Sequence, residues 1–283
     1  AASGGGGGGD GGDGKSRRLY YGLAAVIGIF VLSQVRFGSG GSVDNSCACG
    51  VADEWAIPER VHTAEAGSVI VNVHGQIEQD GLVLGRYFAT PFGAVPTKGI
   101  FVDIGANDGV GFDNTLLFEQ LGWSGVCVEP QPVMFEKLAA NRPHCTNVHA
   151  GIAETEGTLD FLLVEGYANM LSGFVGAISE EHEERIDREI AEFGGSKRVV
   201  QIPTKPVSKI LADAGITEVD FMSIDTEGME LQVLRSVDFE AVAVKIMLIE
   251  VDDADGRDHS GAAAALLAPH GFVRDMSYPR PQD

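Results

Sequence analysis

The chain has 283 residues, which is enough for one α/β domain with an extension. Its formal net charge of −21 at pH 7 disfavours nucleic acid as a partner, because the phosphates would be repelled. The four cysteines are too few for a disulfide-held scaffold, and Cys127, within a predicted core strand, is expected to be a buried free thiol.

The N-terminal segment combines a glycine-rich stretch with an apolar one. Residues 1–18 are mostly glycine and end in basic residues, so we predict a disordered cytoplasmic tail. The apolar run from Leu19 to Val35 is near the lower limit of about 17 residues for a membrane-spanning helix. With basic residues on its N-terminal side, it predicts a transmembrane signal anchor over residues 19–36. A cleaved signal or targeting peptide and a buried core helix are the alternatives.

This anchor predicts a single-pass type II membrane protein whose folded domain lies in the lumen of an ER-like or Golgi-like compartment. Residues 37–66 are predicted to be a stem, and residues 67–283 a folded domain. In the stem, Cys47 and Cys49 lack the paired C-x-x-C spacing of a zinc site, so no metal is predicted. A disulfide from this pair to another site stays open in an oxidising lumen.

The central unit of the domain runs from Gly99 to Pro130. A short apolar run over residues 100–104 predicts a strand that is buried on both faces. The glycine turn after it lets the backbone approach a ligand closely. A helix that begins near Leu116 and a second apolar strand, closed by Glu129, complete a βαβ unit of the nucleotide-binding kind.

The glycine turn favours a cofactor without phosphate. The G-x-G-x-x-G spacing of a dinucleotide site is absent, which disfavours a nicotinamide-dependent oxidoreductase. An acid, Asp103, precedes the first glycine instead, and it would repel a pyrophosphate. It suits S-adenosylmethionine, which carries an ammonium and a sulfonium but no phosphate. Glu129 is placed to bind the ribose hydroxyls of that cofactor.

Three spaced segments carry a resemblance to a known family. They are VDIGANDGVGFDNTLLFEQLGW, then VCVEP, then FMSIDTEGMELQVLRSVDF. Together they resemble the FkbM-type S-adenosylmethionine-dependent methyltransferases, and the resemblance covers roughly residues 76–275. One departure is Asp113, which stands where the family usually has the serine of a Ser-Asn-Thr sequence.

The resemblance implies a Rossmann-like class I methyltransferase fold with a mostly parallel, doubly wound sheet. Such a sheet normally closes with an antiparallel strand, but prolines disfavour a strand at the end of this chain, so we expect it to be missing. Residues 166–197 are predicted to be a helical insertion, which forms either a solvated face or a lid over the substrate. Ser179 is the predicted cap of its helix, and His182 is expected to be exposed and idle.

Candidate site residues follow the ends of the predicted strands. Those expected to hold the methionine end of the cofactor, or to brace the turn around it, are Asp103, Gly105, Asn107, Asp108, Gly109 and Asn114. Glu154 is expected either near the adenine amino group or as an exposed turn acid. Asp225 is expected to orient the acceptor or to take its proton, with Glu227 and Glu250 as alternative bases. His259 is a further candidate base.

The resemblance implies methyl transfer to a hydroxyl group, so the expected activity is O-methylation of a glycan or another small hydroxylated acceptor. The alternative is a membrane-anchored interaction module that keeps the fold and has lost turnover. The odd C-terminus favours this alternative, whereas the intact acids Asp103, Glu129 and Asp225 count against it. The expected partners are the acceptor and, through the N-terminal helix, a membrane.

Overall fold

The structure is a computed structural model that describes residues 26–32, 58, 60–63, 67–90, 94–251 and 258–277. The predicted tail over residues 1–18, most of the predicted stem, and both Cys47 and Cys49 lie outside these residues.

The described residues form thirteen strands and seven α-helices. The strands are β1 (Val26–Leu32), β2 (Arg60–Thr63), β3 (Gly67–Ile70), β4 (Ile100–Ile104), β5 (Ser124–Val128), β6 (Thr146–Val148), β7 (Gly151–Ile152), β8 (Gly157–Gly166), β9 (Gly173–Phe174), β10 (Gly195–Lys205), β11 (Glu218–Ile224), β12 (Ala243–Val251) and β13 (Phe272–Arg274). The α-helices are α1 (Gln79–Val83), α2 (Leu116–Gln120), α3 (Pro132–Asn141), α4 (Glu180–Phe193), α5 (Val207–Asp213), α6 (Glu230–Arg235) and α7 (His259–Leu267).

Seven of these strands form a central sheet in the order β13–β1–β12–β11–β4–β5–β6. Strands β12, β11, β4, β5 and β6 pair in parallel, whereas β1 runs antiparallel to both of its neighbours. The apolar runs that predicted β4, β5, β11 and β12 are long enough for strands and too short for helices. This architecture confirms the predicted α/β class with a mostly parallel sheet.

Apolar side chains cover both faces of the central sheet. Phe101 of β4 belongs to one hydrophobic cluster and its neighbour Val102 to the other, because successive side chains of a strand point to opposite faces. The first cluster includes Phe118 of α2, and the second includes Val233 of α6. Parallel sheets are stable in this arrangement, since helices shield both faces from water.

The apolar segment predicted to span a membrane contributes a strand to the central sheet. β1 lies between β12 and β13, and Ile29 at its centre is fully buried. The prediction of a transmembrane helix is therefore wrong for residues 26–32, where branched and aromatic side chains favour an extended backbone. No helix in the described part of the chain is long and apolar enough to cross a membrane.

β1 also corrects the expectation of an incomplete sheet. The fold was expected to lack its antiparallel strand because prolines occupy the C-terminus, yet β1 supplies an antiparallel strand from the opposite end of the chain. It pairs with the backbone of β12 along six residues of that strand. The feature that favoured an inactive module is thereby removed.

A second sheet, in the order β7–β10–β8–β9, accompanies the central one. β8 and β10 pair antiparallel along their lengths, and the segment between them contains β9 and α4. The predicted cap of α4 is confirmed, because the hydroxyl of Ser179 accepts the backbone N–H of His182. Ile186 of α4 is fully buried in a cluster with Val164 of β8, which holds this helix against the second sheet.

A disulfide joins Cys127 to Cys145, so the prediction of a free thiol at Cys127 is wrong. Cys127 lies in β5, and Cys145 immediately precedes β6. β5 and β6 are parallel neighbours, and their pairing brings the two residues together. The local sequence carries no sign of this partnership.

Replacing Ile29 with alanine is expected to lower the free energy of unfolding of the full chain by about 2–5 kcal/mol, because it empties a fully buried position. Urea unfolding measures this change. Val273→Ala on β13 is the matched control, since Val273 is 55% exposed and its loss should cost less than about 0.5 kcal/mol. Equal stability of Ile29→Ala and the wild type would contradict the placement of β1.

Candidate active site

Four neighbouring strands of the central sheet end in an acid at the same edge. Asp103 lies in β4, Glu129 follows β5, Asp225 follows β11, and Glu250 lies near the end of β12. Because these strands are parallel, their carboxyl ends meet where open α/β sheets bind ligands. All four acids line one cavity of about 970 Å³, which is large enough for a cofactor together with a small acceptor.

Asp103 is buried, and one of its two carboxylate oxygens has a fixed partner. The hydroxyl of Thr115 donates to its Oδ2 at 2.8 Å. The carboxyl group of Asp113 is hydrogen-bonded to Asp103 as well. Burial raises the pKa of Asp103 well above its usual range, and the nearby Asp113 raises it further, whereas Arg142 opposes this. Burial and Asp113 therefore favour the neutral form of Asp103, whereas Arg142 and Thr115 favour the anionic form.

Glu129 holds the glycine turn against the end of β5. Its Oε2 accepts the backbone N–H of Asn107 at 2.8 Å, and its Oε1 accepts that of Gln131 at 2.7 Å. Each oxygen keeps a further lone pair, so the carboxylate can also accept from two hydroxyl groups of a ligand. Burial raises the pKa of Glu129 from 4.5 to about 7, although both backbone hydrogen bonds favour the ionised form.

Gly105 allows the ends of β4 and β11 to approach each other closely. Its φ of +92° lies in the region that favours glycine, and a Cβ atom would lie only 1.7 Å from the carbonyl oxygen of Asp225. The N–H of Asp225 in turn donates to the carbonyl of Ile104 at 2.9 Å. A side chain at Gly105 would therefore displace the backbone of the predicted catalytic acid.

The carboxyl groups of Asp225 and Glu250 are hydrogen-bonded to each other. Burial raises the pKa of Asp225 well above its usual range, and the charge of Glu250 beside it raises that pKa further. Two carboxyl groups that are hydrogen-bonded to each other share a proton, because both cannot ionise at low cost. The turn after Asp225 is held by Glu230, whose Oε1 accepts from the backbone of Thr226 and of Gly228.

The helical insertion contacts this turn. His182 of α4 lines the cavity, with its Nδ1 3.6 Å from Oε2 of Glu227 and its Nε2 2.9 Å from the carbonyl of Leu171. The expectation that His182 is exposed and idle is wrong, since its side chain is only 15% exposed. Arg185, one turn further along α4, also lines the cavity, so the insertion covers the site as a lid would. His259 at the start of α7 lines the same cavity.

Three predicted site residues do not line this cavity. The carboxylate of Asp108 accepts two backbone N–H groups of its own turn, so it shapes the loop. Gly109 makes room for α3, since a Cβ atom there would lie 2.6 Å from the side chain of Arg142. Glu154 is exposed, which matches the alternative of a turn acid. Asn114 does line the cavity, and it braces β11 by donating to the hydroxyl of Ser223.

Two side chains that support the site were missed. Gln131 is buried beside Glu129, and its amide donates to the carbonyl of Asn169 and to the hydroxyl of Ser172. Gln131 thereby connects the end of β5 to the segment that precedes α4. Arg142 follows α3 and is fully buried. Gln131 could have been identified from the sequence, because it directly follows Glu129-Pro130 at the end of a predicted strand. No such signal marks Arg142.

A family model described as "Methyltransferase FkbM domain" matches residues 103–276. The chain belongs to the FkbM methyltransferase family. It is 28% identical over 194 residues to the "31-O-demethyl-FK506 methyltransferase FkbM" of Streptomyces tacrolimicus, covering 62% of this chain and 72% of that protein. It is also 28% identical over 198 residues to the "Methyltransferase sdnD" of Sordaria araneosa, covering 63% and 75%. No solved structure matches the chain.

In this FkbM methyltransferase, Asp113, which the resemblance places where a serine was expected, makes two kinds of contact. Its Oδ1 accepts the backbone N–H groups of Thr115 and Leu116 at the start of α2. Its Oδ2 forms an ion pair with Arg142 at 2.9 Å, and both side chains are fully buried. A serine could supply the first interaction but no charge for the second.

The free energy of unfolding is expected to depend on pH through Glu129. Its pKa is raised on folding, so its contribution to stability is fully present below pH 4.5 and is lost as the pH rises through about 7. The difference in unfolding free energy between Glu129→Gln and the wild type should change by about 3 kcal/mol across this range, in favour of Glu129→Gln at the higher pH. Urea unfolding at both ends of the range measures it.

The control for this measurement is Glu154→Gln, because Glu154 is an exposed acid outside the cavity lining. Its difference from the wild type should stay constant with pH. A constant difference for Glu129→Gln as well would show that burial of Glu129 does not raise its pKa.

Proposed function

We propose that the chain transfers a methyl group from S-adenosylmethionine to a hydroxyl group of a glycan or another small acceptor. The hydrogen-bonded pair of Asp225 and Glu250 carries this proposal. An ordinary carboxylate is a weak base at neutral pH, and a raised pKa brings it nearer to the range in which a general base is effective. Asp225 would take the proton of the acceptor hydroxyl, and Glu250 would share it.

The residues at the other strand ends fit the cofactor. Asp103, which lines the cavity, would offer a carboxylate oxygen to the positive charge of the cofactor, and Glu129 would offer acceptors to its ribose hydroxyls. When bound, S-adenosylmethionine would supply a methyl group on a sulfonium, whose leaving group is neutral. The protein therefore has to position the acceptor in line and remove a proton. Family membership supports the same cofactor.

The cavity lining supports an acceptor that has apolar surface as well as hydroxyl groups. Phe112, Tyr167 and Met170 all line the cavity and are 36%, 38% and 37% exposed. Ligand sites commonly combine such apolar surface with a few placed polar groups. The disulfide of Cys127 and Cys145 supports an oxidising compartment for the folded chain. The alternative of an inactive interaction module has no support from the site.

Calorimetric titration of S-adenosylmethionine into the full chain tests the cofactor. Binding is expected in the micromolar range, and Glu129→Ala should weaken it at least about tenfold, because the ribose would lose hydrogen bonds to a charged group. Glu154→Ala is the control and should bind as the wild type does. A folded wild-type chain that does not bind S-adenosylmethionine would refute the proposed activity.

Asp225→Asn is expected to lower the rate of methyl transfer about 10²- to 10⁴-fold, because asparagine cannot accept the acceptor's proton. Transfer of labelled methyl to a panel of sugars and polyols measures it, with cofactor affinity expected to stay near the wild-type value. Glu218→Gln, an exposed acid at the opposite end of β11, is the control and should keep full activity. Unchanged turnover in Asp225→Asn would remove Asp225 from the mechanism.

A further inference from the structure

Arg142 lies at the centre of a buried ionic cluster behind the cavity. Its Nη1 pairs with Asp113 at 2.9 Å, and its Nε pairs with Glu119 of α2 at 2.5 Å. Its Nη2 donates to the hydroxyl oxygen of Thr115 at 3.1 Å. A fully buried arginine is costly unless its donors are paired, and here each guanidinium nitrogen has a partner. The cluster therefore gives Thr115 a fixed orientation.

The hydroxyl hydrogen of Thr115 has two acceptors within reach. Asp103 is at 2.8 Å and Asp113 is at 3.2 Å. Asp113 already accepts two backbone N–H groups through the same oxygen, at 2.6 and 2.7 Å. The hydrogen therefore points to Asp103. Because Arg142 donates to the oxygen of the same hydroxyl, it polarises the O–H bond and strengthens the hydrogen bond to Asp103.

The anionic form of Asp103 depends on the hydrogen bond from Thr115, because few other groups stabilise its negative charge. Asp103 is 3% exposed, and its hydrogen-bond partners are the hydroxyl of Thr115 and the carboxyl group of a second acid, Asp113. A buried carboxylate in that position would take up a proton and become neutral. A neutral Asp103 would offer no charge to a cationic ligand in the cavity that it lines.

We propose that Arg142 and Thr115 form a relay that opposes protonation of Asp103, so that its carboxylate can bind the positive charge of the cofactor. Arg142 and Thr115 are positioning residues, since neither lies among the cavity-lining side chains. The cofactor part of this inference rests on the proposed function, whereas the relay concerns the chain alone.

The charged groups around Asp103 act in opposite directions. Burial and the adjacent Asp113 raise the pKa of Asp103, and Arg142 and the hydroxyl of Thr115 lower it. Glu119 also pairs with Arg142, and its negative charge reduces the effect of the Arg142 charge on Asp103. Removing the relay should therefore raise the pKa of Asp103. Cofactor affinity at neutral pH should then fall, and it should recover as the pH is raised.

Thr115→Val is the sharpest test, because valine has nearly the shape of threonine and lacks only the hydroxyl. Carbon NMR of the Asp103 carboxyl in the chain without ligand should show a titration midpoint at higher pH than in the wild type. Calorimetry should show about tenfold weaker binding of S-adenosylmethionine at pH 7, the equivalent of one hydrogen bond to a charged group. Thr204→Val is the control, since Thr204 is equally buried but lies on β10 outside the cavity lining.

Arg142→Met tests the other half of the relay. It should shift the Asp103 midpoint in the same direction, and its melting temperature is compared with that of Arg86→Met. Arg86 is also buried and pairs with Asp275 at 2.9 Å, away from the cavity lining. Arg86→Met should lose stability without any change in the Asp103 titration or in cofactor affinity. This contrast separates positioning of Asp103 from general destabilisation.

An unchanged Asp103 midpoint in Thr115→Val would overturn the relay, whether or not the cofactor binds. A shifted midpoint with unchanged affinity would overturn the role of the Asp103 charge in cofactor binding. If the wild type does not bind S-adenosylmethionine, the proposed function fails together with that role, and the NMR titration still decides the relay.

Discussion

The site depends on four acids that meet at one edge of a parallel sheet. Parallel pairing of β4, β5, β11 and β12 places Asp103, Glu129, Asp225 and Glu250 together, and their charges would repel one another without compensation. Each acid is compensated differently. Backbone N–H groups donate to the carboxylate of Glu129. The hydroxyl of Thr115, which itself accepts from Arg142, donates to Asp103. Asp225 and Glu250 share a proton. These differences give the acids different electrostatic surroundings.

The second sheet and its helix convert this edge into an enclosed site. β8 and β10 carry the segment that contains α4, and Gln131 ties that segment to the end of β5. His182 of α4 then reaches Glu227 in the turn after β11. The segment that contains α4 is thus linked at one side to the end of β5 and at the other to the turn after β11.

Most of the central sheet and half of the site could be predicted because their signals are local. Short apolar runs identify buried strands, and an acid directly after such a run lies at the carboxyl end. Asp103, Glu129 and Asp225 were found in this way. The same reasoning failed for Val26–Leu32, because an apolar run after basic residues also fits a membrane helix. Composition could not decide between a buried strand and a membrane helix, since the protein core and the membrane interior are both apolar.

The amino-acid sequence was enough to predict strands β4, β5, β11 and β12 and the acids at their ends. The tertiary structure alone decided that β1 completes the sheet, that Cys127 meets Cys145, and that Arg142 lies behind Asp103. These contacts join residues that are distant along the chain or lie on different elements. Local patterns report burial and turn preference, but they carry no record of the partner that fills the other side of a contact.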